Sequence, residues 1–257
     1  MSKVDNRLEG RLALVTGASG GIGAAIARDL WAQGVSLVLT SYSKPQVVTD
    51  LAIELARCSH GNQRLYTHCL DTGSLEAVEQ LFRDIKEKHG QDGPDILISN
   101  AGYGKRFPGI RDVSMEEFDR TININLRASF VLSKLSIPHM EARGWGRIVF
   151  VSSIAAQGGG INACHYAASK AGLTGMMKNL ATRHAKSGIT VNDIAPAMIG
   201  ETGLIPDASS VEGTPGDVKN IPVGRLGTPQ ECAGVVTMLC KTGYMTGQSI
   251  LLSGGLK

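Results

Sequence analysis

The stretch RLALVTGASGGIGAAIARDL, residues 11–30, decides the fold. Its first residues are an apolar run that is too short for a helix and favours a buried β-strand. A glycine-rich turn follows, and apolar residues then recur at helical spacing until Gly34 ends the predicted helix. A strand that enters a helix through such a turn is the first half of a βαβ unit.

The glycines of this turn predict a phosphate-binding function. Gly17, Gly21 and Gly23 follow the spacing G-x-x-x-G-x-G, which differs from the more familiar G-x-G-x-x-G pattern. Glycines at a strand-to-helix turn let backbone N–H groups approach a pyrophosphate at the helix N-terminus. The alternative is a merely tight turn, and the position directly after the first strand favours phosphate binding.

Strand-like and helical segments alternate along the whole chain. Short apolar runs predict seven strands, at 11–17, 35–40, 63–71, 94–100, 146–153, 189–196 and 248–255. Periodic stretches predict helices at 20–34, 43–61, 75–90, 115–139, 166–188 and 229–241. The alternation predicts an α/β fold, a doubly wound parallel sheet with helices on both faces, in a single domain over residues 1–257. The irregular segment 197–224 is expected to be a substrate loop.

The composition argues against several functional classes. The net charge is +3 and the basic residues are scattered, which disfavours a nucleic-acid partner. Five cysteines without a CxxC pair and six dispersed histidines predict neither disulfides nor a metal site. The first ten residues lack the apolar core of a signal peptide, and no apolar run approaches the ~18 residues of a membrane span. We therefore expect a cytoplasmic protein without a membrane partner, while import into an organelle stays open.

Five motifs occur in a fixed order along the chain. They are TGASGGIG at 16–23, NAG at 100–102, NINL with Asn125, SS with Ser153, and YAASK with Tyr166 and Lys170. Together they resemble the short-chain dehydrogenase/reductase family over essentially the whole length. The resemblance implies a seven-stranded Rossmann sheet and an NADPH-dependent oxidoreductase that reduces a ketone to a secondary alcohol, reversibly.

The resemblance is greatest to members of the 3-oxoacyl-(acyl-carrier-protein) reductase type. Sugar, polyol, polyketide and steroid dehydrogenases share the same motifs and remain alternatives for the small-molecule substrate. A redox sensor that binds the dinucleotide without catalysis is an alternative of another class. Such proteins generally lose the Tyr or the Lys, so the presence of both disfavours it.

The pair Tyr166 and Lys170 stands one helical turn apart, a spacing that by itself is common on helix surfaces. A free phenol has a pKa near ~10, and a cation one turn away is expected to lower the pKa of Tyr166. By resemblance, Tyr166 is the general acid in reduction and the general base in oxidation. Lys170 then lowers the phenol's pKa and binds the nicotinamide ribose.

Two further catalytic residues are implied by the resemblance. Ser153, thirteen residues before Tyr166, orients and polarises the substrate carbonyl. Asn125 holds a water that links Lys170 to solvent as a proton relay. Asn123 is the competing candidate, and Asn125 is preferred because a Leu follows it directly.

The resemblance also implies a set of cofactor contacts. Asn100 is expected to support the centre of the sheet, and Asp71 to contact the adenine, with a helix N-cap as its alternative role. The pattern after Pro196 departs from the family, because Ala197 replaces a usual glycine and Thr202 lies one residue late. The implied contacts are Gly17, Ser19, Gly21, Ile22, Gly23, Ser41, Tyr42, Ser43, Asp71, Asn100, Ala101, Gly102, Tyr166, Lys170, Pro196, Ile199 and Thr202.

The end of the second strand predicts NADP(H) rather than NAD(H). No acidic residue occurs in 35–48, where NAD enzymes usually carry one for the ribose 2′-hydroxyl. The hydroxyls of Ser41 and Ser43 and the cation of Lys44 suit a 2′-phosphate instead. A basic residue often found inside the glycine motif is absent, since Ser19 and Gly20 stand there, so NAD(H) remains the alternative.

Three remaining expectations concern the surroundings of the site. The glycines at 158–160 suggest room for a bulky ligand. His165 is expected to be pocket wall or packing, because the sequence offers no second histidine or carboxylate placed to complete a triad. By resemblance, the apolar faces of helices 115–139 and 166–186 predict a homotetramer.

Overall fold

Seven strands form one parallel sheet in the order β3-β2-β1-β4-β5-β6-β7. The computed structural model describes residues 5–59, 61–158 and 161–257. The strands are β1 (Leu12–Val15), β2 (Ser36–Ser41), β3 (Leu65–Cys69), β4 (Ile96–Ser99), β5 (Gly146–Val151), β6 (Ile189–Pro196) and β7 (Ser249–Leu252). The predicted doubly wound α/β fold is confirmed.

Helices cover both faces of the sheet. They are α1 (Gly21–Ala32), α2 (Pro45–Arg57), α3 (Leu75–His89), α4 (Met115–Ile122), α5 (Ala128–Arg143), α6 (Cys164–His184) and α7 (Pro229–Lys241). Side chains of β1 alternate between the two cores, with Val15 packed with α1, α2 and α7 and Leu14 packed with α3, α5 and α6. A strand that is buried on both faces has no solvent-exposed face, which explains why its sequence is a continuous apolar run.

The order of strands reverses at β1, which pairs with β2 on one side and with β4 on the other. The carboxyl ends of β1 and β4 therefore open a crevice at the switch point of the sheet. Thr16, just after β1, accepts hydrogen bonds at its hydroxyl from the backbone N of Asn100 at 3.0 Å and of Ala101 at 2.9 Å. These bonds fix the end of β4 beside the glycine-rich turn.

The long helical stretch predicted over 115–139 is present and continues to Arg143, with a π-helical turn in its interior that was not predicted. Helix α4 ends at Ile122, a π-helical turn covers Asn123–Arg127, and α5 then continues to Arg143. A π-turn accommodates one extra residue within a continuous helix, so helical periodicity on either side predicts helix without marking the turn.

Helix α6 begins at Cys164, two residues before the predicted start at 166, so Tyr166 lies in its first turn. Its α-helical part ends at His184, and a short 3₁₀ turn continues to Gly188, whose φ of 73° closes the segment. Neither α6 nor any other helix in the described part of the chain has both the length and the apolar character needed to cross a membrane.

The segment 197–224 is irregular, apart from short 3₁₀ turns at Ala208–Val211 and Val218–Asn220. Met198, Ile205, Val211 and Ile221 form a small buried cluster of their own. The segment therefore packs on itself above the sheet, next to the carboxyl end of β6.

Candidate active site

One cleft of about 1220 Å³ runs along the carboxyl edge of the sheet. It extends from the end of β2 across the glycine-rich turn to α6 and the 197–224 segment. Every residue predicted to contact the cofactor lines this cleft, as do Lys44 and the predicted catalytic Ser153, Tyr166 and Lys170. Asn125 is the exception among the predicted site residues and lies buried behind the wall.

The glycines of the first turn are required by close backbone approaches. A Cβ on Gly17 would lie 2.9 Å from the Cα of Ala101, and the φ of Gly17 is 66°. A Cβ on Gly23 would lie 2.7 Å from the side-chain amide of Asn100. Helix α1 begins without a side-chain cap at Gly20 and without an acidic residue in its first turn. Its first N–H groups thus remain available to an anionic group in the cleft.

Asn100 connects the end of β4 to this turn. Its amide nitrogen donates to the backbone oxygens of Thr16 at 2.8 Å and Gly17 at 3.1 Å. The contact agrees with the predicted role of Asn100 in supporting the sheet centre and holds the glycine-rich turn in place.

Ser153, Tyr166 and Lys170 come together on the opposite wall of the cleft. Ser153 follows β5 and hydrogen-bonds Tyr166, which α6 presents from its first turn. The Nζ of Lys170 donates to the backbone oxygen of Val151 at 2.9 Å and lies 5.7 Å from the centre of the Tyr166 ring. Both side chains are buried, with 5% of Tyr166 and 4% of Lys170 exposed.

The predicted lowering of the Tyr166 pKa is wrong for this structure. Burial raises the pKa of Tyr166 to about 12, and the hydrogen bond with Ser153 offsets only part of that effect. Burial lowers the pKa of Lys170 to about 8, against an opposing attraction from Asp193. The cost of removing the phenolate from water exceeds the stabilisation that the Ser153 hydroxyl gives it.

Asn125 and Asn123 occupy different places in the π-turn. Asn125 donates from its amide to the oxygen of Tyr103 at 2.9 Å and to the hydroxyl of Ser169 at 3.0 Å, and it accepts from the Tyr103 N–H at 2.7 Å. A Cβ on Gly102 would lie 3.3 Å from the Nζ of Lys170 and 3.6 Å from the Oδ1 of Asn125. Asn125 is therefore the one beside Lys170.

Asn123 faces another part of the molecule. Its amide donates to the backbone oxygen of Gly73 at 3.1 Å, and its oxygen accepts from Arg127 at 3.1 Å. Asn123 lines the cleft near Asp71 and has no contact with Lys170 among the hydrogen bonds of the described residues.

The ends of β2 and β3 form the far part of the cleft. The hydroxyl of Ser41 donates to that of Ser19 at 3.1 Å and accepts from the backbone N of Lys44 at 3.2 Å. Lys44 precedes Pro45 at the start of α2, which carries no side-chain cap. Asp71 does not cap α3, because Ser74 accepts from the Ala77 N–H at that position. The alternative role for Asp71 is therefore wrong, and Asp71 instead accepts from the Gly73 N–H at 2.9 Å.

The segment after Pro196 turns back towards the glycine-rich turn. Met198 and Glu201 adopt positive φ values of 52° and 56°, which are unfavourable for residues other than glycine. The hydroxyl of Thr202 donates to the Ile199 oxygen at 3.0 Å and thereby closes the bend. Thr202 still reaches the cleft wall, although the chain contains one residue more than the family pattern.

Apolar side chains dominate the end of the cleft beyond Tyr166. Arg106 and Asn162 are the polar residues that sequence reasoning missed there, and Arg106 donates to the Ser210 oxygen at 2.9 Å across the mouth. Of the predicted glycines at 158–160, Gly159 and Gly160 lie outside the described residues. The apolar lining residues are Ile154, Ala155, Ile161, Met198, Leu204, Ile205 and Pro206.

His165 is buried and packs edge-on against Phe107, with 5.4 Å between ring centres. Oε1 of Glu117 is the carboxylate oxygen beside it, 4.0 Å from its Nε2. This distance exceeds a hydrogen bond, and neither ring nitrogen has a hydrogen-bond partner among the described residues. His165 also lies outside the cleft lining, so it serves packing between α6 and α4.

Asp193 is a buried residue that the sequence analysis did not identify. Asp193 lies fully buried in β6, on the face that carries α6, and accepts hydrogen bonds from Ser152, Thr174 and Ser249. A carboxylate in the middle of a predicted buried strand is a signal that could have identified it, because buried charges are rare unless they are paired.

The sheet, the glycine-rich turn at its switch point and the facing tyrosine and lysine define the class of Rossmann-fold dehydrogenases. Residues 11–212 match the family model described as short chain dehydrogenase. The chain therefore belongs to the short-chain dehydrogenase/reductase family, whose members are oxidoreductases that bind NAD(P)(H).

Named relatives agree with this assignment. "Dehydrogenase/reductase SDR family member 4" of Bos taurus is 36% identical over 97% of this chain and 88% of its own length. "3-oxoacyl-[acyl-carrier-protein] reductase FabG" of Rickettsia bellii is 36% identical over 97% and 98%. Among solved structures, a Serratia marcescens short-chain dehydrogenase/reductase mutant is similar with a TM-score of 0.86 and 30% identity, over 97% of this chain and 99% of that one.

Proposed function

We propose that this protein is an NADPH-dependent reductase that converts a ketone into a secondary alcohol, and that the reaction is reversible. The observation that carries the proposal is the convergence of Ser153, Tyr166 and Lys170 on one wall of a cleft whose opposite wall is the glycine-rich turn. When bound, the nicotinamide supplies or accepts the hydride. The protein supplies position, polarisation of the carbonyl and the proton.

The chain's own residues fit a dinucleotide. The uncapped start of α1 and the close-packed glycines offer N–H groups to a pyrophosphate. At the far end, Ser43 and Lys44 are exposed, Ser41 hydrogen-bonds Ser19, and the start of α2 is free of a side-chain cap. Hydroxyls, a cation and a helix N-terminus together favour a 2′-phosphate, hence NADP(H) rather than NAD(H).

Proton transfer is assigned to Tyr166. Ser153 hydrogen-bonds the phenol and is placed to donate to the same carbonyl oxygen. Because the pKa of Tyr166 is raised to about 12, the phenol keeps its proton at neutral pH and can donate it to the forming alkoxide. Asn125 secures the backbone of Tyr103 beside Lys170, and the proposed water relay would pass between these groups and solvent.

An apolar ketone is the proposed substrate class, with a 3-oxoacyl thioester as the leading example. The support is the apolar end of the cleft beyond Tyr166 and the similarity to proteins named 3-oxoacyl-[acyl-carrier-protein] reductase. Sugar, polyol, polyketide and steroid dehydrogenation are the alternatives within the family, and a non-catalytic redox sensor is the alternative outside it. We further propose a cytoplasmic homotetramer. The exposed apolar side chains of Phe130 on α5 (55%) and Met115 on α4 (67%) support contacts between copies of the chain on these helices.

The test is consumption of NADPH and NADH with a panel containing a β-ketoacyl thioester, a diketone, a ketose, a quinone and a ketosteroid. The variant Tyr166→Phe is expected to lose about 10²–10⁴-fold in kcat, because it removes the proton donor and keeps the ring. NADPH affinity, followed by fluorescence, should stay within a few-fold of the natural protein. Full activity of Tyr166→Phe, or a preference for NADH, would contradict the proposal.

A further inference from the structure

Asp193 is a charged residue in the interior of the sheet. Its carboxylate is 0% exposed and lies in β6, between Asn192 and Ile194. A carboxylate at such a place destabilises the fold unless its oxygens are hydrogen-bonded and its charge is balanced. The fold therefore depends on the hydrogen-bond donors and the charges around Asp193.

Hydroxyl groups from three different elements supply the donors. Ser152 at the end of β5 donates to Oδ1 at 2.8 Å, and Ser249 of β7 donates to the same oxygen at 2.6 Å. Thr174 of α6 donates to Oδ2 at 3.1 Å. Ser152 directly precedes Ser153, and Thr174 follows Lys170 by one helical turn. The carboxylate thus connects the two elements that carry the proposed catalytic residues.

Lys170 is the cation that Asp193 attracts. Its ammonium group is 4% exposed and donates to the Val151 oxygen, a neutral acceptor. From its own helix the titratable Tyr166 faces it, from β6 Asp193 acts on it, and from the π-turn the neutral amide of Asn125 lies close. In the described part of the chain, Asp193 is the carboxylate that favours the charged form of Lys170.

We infer that Asp193 is a positioning residue of this active site, whose buried carboxylate keeps Lys170 protonated and holds β5 and α6 around it. This inference rests on the proposed function. It adds a residue that acts through Lys170 and touches neither substrate nor cofactor in the cleft, because Asp193 does not line it.

Burial and the charge of Asp193 act in opposite directions on the pKa of Lys170. Burial lowers the pKa of Lys170, and the negative charge of Asp193 opposes this lowering. Replacing the carboxylate with a neutral group of the same shape removes the opposition, so the pKa of Lys170 should fall further. At neutral pH a larger fraction of Lys170 would then be uncharged, and the basic limb of the kcat profile would move to lower pH.

The experiment compares Asp193→Asn with Thr174→Val. Lysine side chains are labelled at Cε with ¹³C, the Lys170 signal is assigned by its loss in Lys170→Met, and its titration is followed by NMR. In Asp193→Asn the Lys170 titration should move down by roughly one pH unit, the order expected for loss of one nearby charge. In Thr174→Val, which removes a hydroxyl contact and keeps the charge, it should stay in place.

Kinetics provide the second measurement. The basic limb of kcat should move with the Lys170 titration in Asp193→Asn and remain fixed in Thr174→Val. An unchanged Lys170 titration in folded Asp193→Asn would overturn the inference, even if kcat fell, because a merely structural role would reduce kcat without moving the limb. If Asp193→Asn does not fold, Asp193→Ser replaces it, with the same outcomes.

Failure of the inference is distinguishable from failure of the proposed function. Tyr166→Phe is measured beside these variants. An inactive Tyr166→Phe together with an unmoved Lys170 titration in Asp193→Asn overturns the role of Asp193 alone. An active Tyr166→Phe overturns the proposed function and, with it, the assignment of Asp193 to its machinery.

Discussion

Burial acts in opposite directions on the two central residues of the site. It raises the pKa of Tyr166 to about 12 and lowers the pKa of Lys170 to about 8, because in each case it disfavours the charged form. The phenol is therefore protonated throughout the physiological range, while the ammonium group is close to its titration. The proton balance of the site depends mainly on Lys170 and on the groups that hold its charge.

Lys44 offers a test of cofactor choice at the level of one residue. Its ammonium group is exposed beside Ser43, and the 2′-phosphate is the group that distinguishes NADPH from NADH. Lys44→Ala is therefore expected to weaken NADPH binding by about tenfold, the effect of one charge-assisted contact, and to leave NADH binding unchanged. Fluorescence titration with both dinucleotides measures this difference.

The matched control for Lys44 is Lys186→Ala. Lys186 is also exposed but lies in the 3₁₀ turn Ala185–Ser187, outside the cleft lining. The variant Lys186→Ala should bind NADPH and NADH with the same affinities as the natural protein. Equal losses for NADPH and NADH in Lys44→Ala, or no loss at all, would contradict a 2′-phosphate contact.

The π-turn is the element that separates the two asparagine candidates. Asn125 makes three hydrogen bonds to Tyr103 and Ser169, whereas Asn123 bonds Gly73 at the far part of the cleft. Asn125→Ala should lower the free energy of unfolding by about 1–2 kcal/mol, because it leaves the partly buried backbone N–H and C=O of Tyr103 without partners. It should also reduce kcat by at least about tenfold, since Tyr103 is then no longer held beside Lys170.

Asn123→Ala is the control for this element. It removes an amide of the same size from the same turn, at a partly exposed position away from Lys170. Urea unfolding and steady-state kinetics of both variants give the comparison. Similar losses of kcat in the two variants would mean that the turn as a whole, and not Asn125, supports the site.

The same element shows what the sequence can and cannot predict. The strands, the glycine-rich turn and the Ser153, Tyr166 and Lys170 group follow from local patterns, because each depends on residues that are near in sequence or in a fixed motif. The helical patterns on either side of Asn123–Arg127 predict helix but do not mark the π-turn between them. The Tyr166 pKa and the Asp193 contacts depend on burial and on partners far along the chain, which spacing does not encode.

In the molecule as a whole, two histidines near the outer strand β3, His68 and His89, are held in their neutral form by burial and, for His89, also by basic neighbours. His89 at the end of α3 is buried, contacts the Tyr66 ring edge-on at 6.3 Å between centres and has no hydrogen-bond partner on its ring among the described residues. Burial lowers the pKa of His89 to about 4, helped by Arg64, His68 and Lys88. Burial also lowers the pKa of His68, although Asp84 at 3.6 Å opposes this.

This arrangement predicts that the protein loses stability in mild acid. An unfolded histidine titrates near ~6.5, so the folded state binds fewer protons between that pH and about 4, the pKa of His89. Above pH ~6.5 His89 is neutral in both states and costs no stability. As the pH falls from ~6.5 towards 4, protonation of the unfolded state lowers the free energy of unfolding, by on the order of 2 kcal/mol.

His89→Phe keeps the ring contact with Tyr66 and removes the titration, so the stability of this variant should depend less on pH. Urea unfolding of the natural protein and of His89→Phe at pH 7 and pH 5 measures this. A pH dependence that is the same in His89→Phe as in the natural protein would assign the acid sensitivity to other groups.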